Sequence, residues 1–206
     1  LRCWRSFGLL LELARKLGKD VQIVMHGMPA LTEIPDFHAR IQGLSNVTFH
    51  GRYRAPEDLA RIYAGLDVVW AGDFMEAGFN SEWLLPNRLY EGGYYAVPPI
   101  APASTQTAKW MDERGVGFAL DESLSSTLPA LIERLAANRP EIEGRRRRLL
   151  DLASEAFVAT RGELSALVAD ALRDGGPAAS ANLRTSSTRS TRNPAVAAQP
   201  QGVQGE

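Results

Sequence analysis

Apolar residues in about the first 120 positions follow two alternating patterns. In residues 4–17 they recur at helical spacing, and Gly18 follows as a helix stop. Residues 21–25 form a run rich in β-branched side chains, which is typical of a buried strand. The alternation continues and predicts further strands at 47–50, 67–71, 99–101 and 117–120 and further helices at about 35–43, 56–64, 87–95 and 107–114.

Buried strands that alternate with helices predict the α/β fold class. We expect a Rossmann-like parallel sheet with helices on both faces. After residue 120 the pattern becomes all-helical: Ser123 is placed to cap one helix and Pro140 to open another. From Asp174 onward large apolar residues are almost absent, which predicts disorder. The predicted organisation is a domain at 1–157, a C-terminal helix at 158–173 and a disordered tail at 174–206.

The composition is that of an ordinary globular protein, with 45% hydrophobic and 23% charged residues among 206. A formal net charge of −1 gives no basic footprint for nucleic acid, and we interpret Arg145–Arg148 as a solvated helix face. Cys3 is the only cysteine, which excludes an internal disulfide. The spacing of the three histidines does not indicate a metal site, so none is predicted.

The ends of the sequence carry two expectations about location and completeness. The chain shows neither a long apolar run nor a signal-peptide pattern, so we expect a cytoplasmic protein without a transmembrane segment. It begins at Leu1 rather than at a methionine and runs directly into an apolar helix. This start predicts either a fragment or a mis-assigned first residue.

The segment from Leu85 to Ala101 carries the most informative chemistry. A proline opens a short helix that holds Arg88 and, one turn later, Glu91, with Asn87 either as a helix cap or as a ligand contact. The N-terminus of a helix suits a phosphate, and an arginine adds a planar fork of donors. A carboxylate can accept hydrogen bonds from both hydroxyls of a ribose. The spacing therefore indicates a site for a nucleoside diphosphate.

Other candidate residues lie where predicted strands end. Ligands of parallel α/β sheets bind beyond the carboxyl ends of the strands. Gly27 follows the first strand, where we expect it to allow a tight turn or a close backbone approach. The segment 72–86 follows the third strand and is predicted to be a long functional loop.

This order of motifs resembles the donor-binding region of GT-B glycosyltransferases, in particular the family 4-like group that builds bacterial exopolysaccharides such as succinoglycan. Residues 86–91 read Pro-Asn-Arg-Leu-Tyr-Glu and residues 98–101 read Pro-Pro-Ile-Ala, as in that family, where the glutamate holds the nucleotide ribose. The resemblance covers roughly residues 2–157. It implies that Glu91 holds the ribose and that Arg5 lies near the diphosphate. Many relatives have a second glutamate eight positions earlier; here the nearest carboxylate is Glu82, the candidate sugar contact.

The resemblance also implies which parts of a GT-B enzyme are present. A GT-B donor domain orders its strands 3-2-1-4-5-6, and its first strand would precede Leu1. We therefore expect the visible strands to flank an empty slot. The N-terminal acceptor domain is expected to be missing, so the chain is interpreted as the C-terminal donor half.

The implied function is transfer of a sugar from a nucleotide-diphosphate sugar to a glycan or lipid-linked acceptor in polysaccharide biosynthesis. The resemblance implies retention of anomeric configuration, no cofactor beyond the donor, and peripheral contact with the inner face of the membrane. The sequence assigns no catalytic residue. Two alternatives stay open: a non-catalytic nucleotide-binding fragment or decayed transferase, and a GT-B sugar epimerase.

Overall fold

The computed structural model describes residues 1–121, 123–152, 154–158 and 161–174. The chain divides into two compact units, Leu1–Ala159 and Thr160–Glu206. The predicted tail therefore lies, from residue 175 onward, outside the described residues. No helix in the described ranges has the length and apolar character that crossing a membrane requires.

Among the described residues, five short strands form the centre of the first unit, and every pairing between them is parallel. The strands are β1 (Ile23–Met25), β2 (Val47–Phe49), β3 (Val69–Trp70), β4 (Pro99–Pro102) and β5 (Phe118–Leu120). In the first sheet β1 pairs with β2, so that the first residues of the two strands lie opposite each other. In the second sheet β4 lies between β3 and β5.

Helices cover both faces of these strands, which confirms the predicted fold class. They are α1 (Trp4–Leu17), α2 (Phe37–Ile41), α3 (Leu59–Tyr63), α4 (Asn80–Trp83), α5 (Asn87–Tyr94), α6 (Gln106–Arg114), α7 (Leu124–Ala137) and α8 (Arg139–Asp151). The second unit contains α9 (Arg161–Asp174). The segment 72–86 is not a continuous loop, because α4 forms within it.

The two sheets are separate, and within the described residues no backbone ladder joins β1 to β3. The first residues of the chain run beside the segment after β1, where the amide of Ala30 donates to the carbonyl of Leu1 at 2.9 Å. That a strand preceding Leu1 belongs between the two sheets stays a prediction.

Two apolar clusters pack against the two faces of the strands. One contains residues of α1 and α7, and the other contains residues of α5 and α6. The first joins Leu11 of α1 to Met25 of β1 and Ile100 of β4, and so connects the two sheets. The second packs Leu89 of α5 against Met111 of α6. Since β4 contributes residues to both clusters, the second sheet is buried on both faces, as its apolar sequence predicted.

The side chain of Asn46 joins the end of α1 to the start of β2. Its Nδ2 donates to the carbonyl oxygens of Ala14, Gly18 and Val21, at 2.8, 2.7 and 3.2 Å. Asn46 is 8% exposed, so few waters can substitute for these bonds. The asparagine thus adds a side-chain donor at the end of α1, where the carbonyl of Ala14 also accepts from the amide of Gly18 and the carbonyl of Gly18 also accepts from the amide of Val21.

The arginine run of α8 is only partly the solvated face that the sequence predicted. Arg145 donates from Nε to the carbonyl of Gly117 at 2.9 Å, and Arg146 donates to the carbonyl of Leu66 at 2.7 Å; both residues are half-buried. Arg147 and Arg148 are exposed, although Arg148 also donates to the carbonyl of Gly115 at 3.0 Å. The prediction was wrong for Arg145 and Arg146, because their guanidinium groups bind backbone oxygens of loops that lie next to α8 only in the folded protein.

Candidate functional site

Helix α5 carries the candidate site, and a glycine on it lets the helix lie close to the sheet. A Cβ atom added at Gly92 would lie 2.8 Å from Cγ1 of Val69 in β3. Only a residue without a side chain fits this approach. The helix begins after Pro86, whose extended backbone occupies the N-cap position. The interpretation of Asn87 as the cap was therefore wrong: Asn87 is the first helical residue, and it is exposed.

Arg88 projects from the first turn of α5 toward the end of β3. Its Nη2 donates to the carbonyl oxygen of Gly72 at 3.2 Å. The hydroxyl of Ser6 donates to the same oxygen at 3.3 Å. Among the described residues the buried Nε of Arg88 has no hydrogen-bond partner. A half-buried guanidinium with a free donor can bind an anion at this edge of the sheet.

Glu91 lies one helical turn after Arg88 and is paired with a tyrosine. The hydroxyl of Tyr63 donates to Oε2 of Glu91 at 2.9 Å. Burial raises the pKa of the Tyr63 hydroxyl above its ordinary value, and the charge of Glu91 raises it further. Burial also raises the pKa of Tyr53, and there too the charge of Glu91 adds to the shift while that of Arg88 opposes it. The charges of Arg88 and Glu91 therefore act on both tyrosine hydroxyls.

Gly27 follows β1 at the same edge of the fold. Its φ of +114° is a conformation that side chains disfavour, and its amide donates to the carbonyl of Gly51 at 2.7 Å. An added Cβ would meet nothing within 4 Å, so the glycine serves the turn rather than a close approach. Beside it the rings of His26 and His50 stack, with centroids 4.7 Å apart.

The stacked histidines extend toward Tyr53. The ring of Tyr53 meets the ring of His26 edge-on, with centroids 6.3 Å apart. Burial lowers the pKa of His26 below its ordinary value, and the charges of His50 and Arg61 lower it further, while Asp58 opposes them. The ends of β1 and β2 therefore carry an aromatic surface that continues, through Tyr53, to the surroundings of Glu91.

The two remaining predicted contacts lie on other elements. The guanidinium of Arg5 lies 4.5 Å from the ring centroid of Phe74. Oε1 of Glu82, an exposed residue in α4, accepts a hydrogen bond from the amide of Gly78 at 2.9 Å. The structure thus brings Arg88 and Glu91 together on α5, and it engages Arg5 and Glu82 with the segment that follows β3.

The residue that the sequence analysis missed is Tyr63. A tyrosine on the buried face of a predicted helix is one usable signal, since a buried hydroxyl requires a hydrogen-bond partner. The sequence did not show that this partner is the candidate ribose carboxylate. As for metals, the described part of the chain contains no group of three or more histidine, cysteine, aspartate or glutamate side chains placed to hold an ion.

Beyond the candidate site, Thr105 caps α6. Its side chain accepts a hydrogen bond from the amide of Ala108 at 3.2 Å, in the first turn of the helix. A cavity adjoins this turn at the ends of β4 and β5 and is lined by Pro102, Ala103, Ser104, Leu120, Asp121 and Ser123. The cap fixes the start of α6 and accounts for the hydroxyl of Thr105 without a ligand.

Comparison with known proteins agrees with this geometry. Succinoglycan biosynthesis protein ExoL of Rhizobium meliloti (strain 1021) is 43% identical over 145 residues, which are 68% of this chain and 36% of ExoL. The crystal structure of Anabaena HepE in complex with UDP-glucose superposes with a TM-score of 0.64 and 18% identity, over 83% of this chain and 46% of that chain. WaaG, a glycosyltransferase involved in lipopolysaccharide biosynthesis, superposes with a TM-score of 0.52 and 15% identity, over 76% and 41%. No protein-family model matches.

The chain spans about a third of the length of ExoL and less than half of each of these two solved chains. The solved structures are distant in sequence and show the fold, while ExoL shows relatedness in sequence. Together they confirm the resemblance drawn from residues 86–91 and 98–101. The chain is a homologue of a succinoglycan biosynthesis protein, and it has the fold of the GT-B glycosyltransferases.

Proposed function

We propose that this chain is the donor-binding part of a glycosyltransferase of polysaccharide biosynthesis. The enzyme transfers a sugar from a nucleotide-diphosphate sugar to a glycan or lipid-linked acceptor. Relatedness to ExoL supports the biosynthetic context, and the binding of UDP-glucose by HepE supports the class of donor. The acceptor is bound by a further domain, in line with the fraction of ExoL that this chain spans.

One observation carries the proposal: Arg88 and Glu91 lie one turn apart on α5, both half-buried, at the end of β3. The buried Nε of Arg88 has no hydrogen-bond partner, and the carboxylate of Glu91 uses only Oε2 in hydrogen bonds among the described residues. A guanidinium suits a diphosphate, and a carboxylate with a free oxygen suits the hydroxyls of a ribose.

The reaction that we propose depends on electrostatic stabilisation. When the bond between sugar and diphosphate breaks, negative charge grows on the departing phosphate oxygens. Arg88 and the N-terminal amides of α5 stabilise that charge, since both are fixed in place before the reaction begins. The sugar then acquires positive character at its anomeric carbon. The acceptor hydroxyl attacks that carbon from the side of the departing diphosphate, so configuration is retained, and its proton passes to the departing phosphate oxygen. The mechanism needs no protein-bound metal and no cofactor besides the donor.

Calorimetric titration with UDP and with GDP tests the site. Wild-type protein is expected to bind at least one of them, and Glu91→Gln to bind it about ten- to a hundredfold more weakly. The amide can accept only on its oxygen and turns a donor toward the second hydroxyl. Glu133→Gln, on the exposed face of α7, is the matched control and should bind as wild type does. Equal affinities of Glu91→Gln and wild type would remove Glu91 from the site.

A further inference from the structure

Tyr63 is held rigidly beneath Glu91. It is the last residue of α3, is 5% exposed, and packs in an apolar cluster with Leu59, Val69 and Val97. The ring of Tyr95 stacks on its ring, with centroids 5.6 Å apart and an angle of 8° between the planes. A ring confined on these sides has little freedom to turn, so the position of its hydroxyl is fixed by the core.

The hydroxyl of Tyr63 is the one hydrogen-bond donor that the carboxylate of Glu91 meets among the described residues, at 2.9 Å from Oε2. A glutamate carboxylate can otherwise rotate about three side-chain bonds, and ordering such a long side chain on binding costs entropy. Hydrogen bonding to a buried phenol removes much of that freedom before a ligand arrives. Oε1 is left without a hydrogen bond within the described part of the chain.

Gly92 makes the contact between Tyr63 and Glu91 possible. A Cβ atom at this position would lie 3.3 Å from the carbonyl oxygen of Val97 and 3.6 Å from the ring of Tyr63. A larger residue would push α5 away from β3 and therefore move Glu91 away from the phenol. The close packing of helix on sheet thus sets the distance between the two side chains.

We propose that Tyr63 is a positioning residue of the ribose site: its hydroxyl fixes the carboxylate of Glu91 so that the free Oε1 faces the ribose hydroxyls. This inference rests on the proposed function, because it assigns Tyr63 a role only if Glu91 binds ribose. The phenol suits the role, since burial and the nearby carboxylate raise its pKa and keep it a neutral donor. A purely structural phenol would support folding without affecting how the protein recognises a ribose.

The test measures recognition of the ribose hydroxyls directly. Calorimetry compares UDP with 2′,3′-dideoxy-UDP, which lacks both hydroxyls, for wild type, Tyr63→Phe, Glu91→Gln and the double variant. GDP and its dideoxy analogue take their place if GDP is the nucleotide that binds. Tyr95→Phe is the matched control, because it removes a hydroxyl from the same ring stack that makes no hydrogen bond in the described structure. Melting temperatures of all variants are recorded alongside.

We expect wild type to prefer UDP over its dideoxy analogue at least about tenfold. Tyr63→Phe should reduce that preference about three- to tenfold and leave the affinity for the dideoxy analogue unchanged. Tyr95→Phe should keep the preference. In the Glu91→Gln background Tyr63→Phe should have little further effect, because the carboxylate that it orients is gone.

The outcomes that overturn the inference are distinguishable from those that overturn the proposed function. If wild type and Glu91→Gln show the same preference for UDP, Glu91 does not bind ribose and the proposed site is wrong. If Glu91→Gln loses the preference while Tyr63→Phe keeps it in full, the site stands and the positioning role is refuted. An equal loss of affinity for both nucleotides in Tyr63→Phe would show a structural role instead.

Discussion

Arg88 and Ser6 donate hydrogen bonds to the same backbone oxygen, the carbonyl of Gly72, from 3.2 and 3.3 Å. Ser6 in turn accepts a hydrogen bond from the indole nitrogen of Trp70 at 3.1 Å. Residues of α1, β3 and α5 therefore meet at one carbonyl at the end of β3. The hydrogen bond from Nη2 fixes the guanidinium of Arg88 before any anion binds. Its buried Nε has no hydrogen-bond partner among the described residues.

This geometry predicts that Arg88→Lys weakens the binding of nucleoside diphosphates although the charge is kept. A lysine ammonium is a point charge on a flexible chain and cannot hold the Gly72 carbonyl and a phosphate through one planar fork. We expect the affinity for UDP to fall about tenfold, which corresponds to about 1.4 kcal/mol. Calorimetric titration with UDP measures the loss.

The control for Arg88 is a ligand without phosphates. NMR titration with uridine should give the same affinity for wild type and Arg88→Lys, because uridine carries no charge for the guanidinium to bind. Arg147→Lys, an exposed position of α8, should leave both affinities unchanged. A parallel loss of uridine and UDP binding would show that Arg88 supports the shape of the site and not the diphosphate.

The placement of Arg88 and Glu91 one turn apart could be predicted from the sequence, because both lie in one short helix and their separation follows from its geometry. Proline at position 86 indicated where that helix begins. The parallel strands could also be predicted, from short segments rich in apolar and β-branched residues. Features that depend only on neighbours along the chain were therefore the predictable part of the fold and of the candidate site.

Contacts between distant segments were not predictable in this way. The bond from Tyr63 to Glu91 joins α3 to α5, and nothing in either local pattern indicates the partner. The bond from Arg146 to the carbonyl of Leu66 links residues 80 positions apart, so this arginine of a run predicted to be solvated has a structural contact instead. Such contacts depend on how the helices cross the sheet. The periodicity of apolar residues along the chain carries no information about that crossing.

Asn46 is predicted to be a strong determinant of stability far from the candidate site. Asn46→Ala removes the amide donor that the carbonyls of Ala14, Gly18 and Val21 share, at a position that is largely buried. We expect the free energy of unfolding to fall by about 1–3 kcal/mol. Urea denaturation followed by circular dichroism measures the change, and UDP affinity of the folded variant should stay at the wild-type value.

Asn46→Asp is the matched variant for that prediction. The aspartate has the same shape but offers carboxylate oxygens where the amide nitrogen donates, so it faces the three carbonyls with acceptors only. It should lose at least as much stability at neutral pH as the alanine variant does. Wild-type stability in Asn46→Asp would mean that packing, and not hydrogen bonding, gives Asn46 its role.

The stack of His26 on His50 predicts a dependence of stability on pH. Burial lowers the pKa of His26 from its ordinary value of 6.5, and the charges of His50 and Arg61 lower it further, with only Asp58 opposing. The unfolded chain therefore takes up a proton at His26 more readily than the folded protein does. Stability from this group is present above about pH 6.5 and is lost as the pH falls through the lower pKa of the folded state.

Urea denaturation between about pH 8 and pH 5 measures this loss as a falling free energy of unfolding. His26→Gln removes the titrating group, so its stability should decline less over the same interval. His38→Gln is the control, because His38 is exposed on α2 and lies outside the stack. It should keep the wild-type slope. If His26→Gln and wild type lost stability in parallel from pH 7 to pH 5, the protonation of His26 would not be the cause, and the stacked pair would contribute to the fold independently of pH.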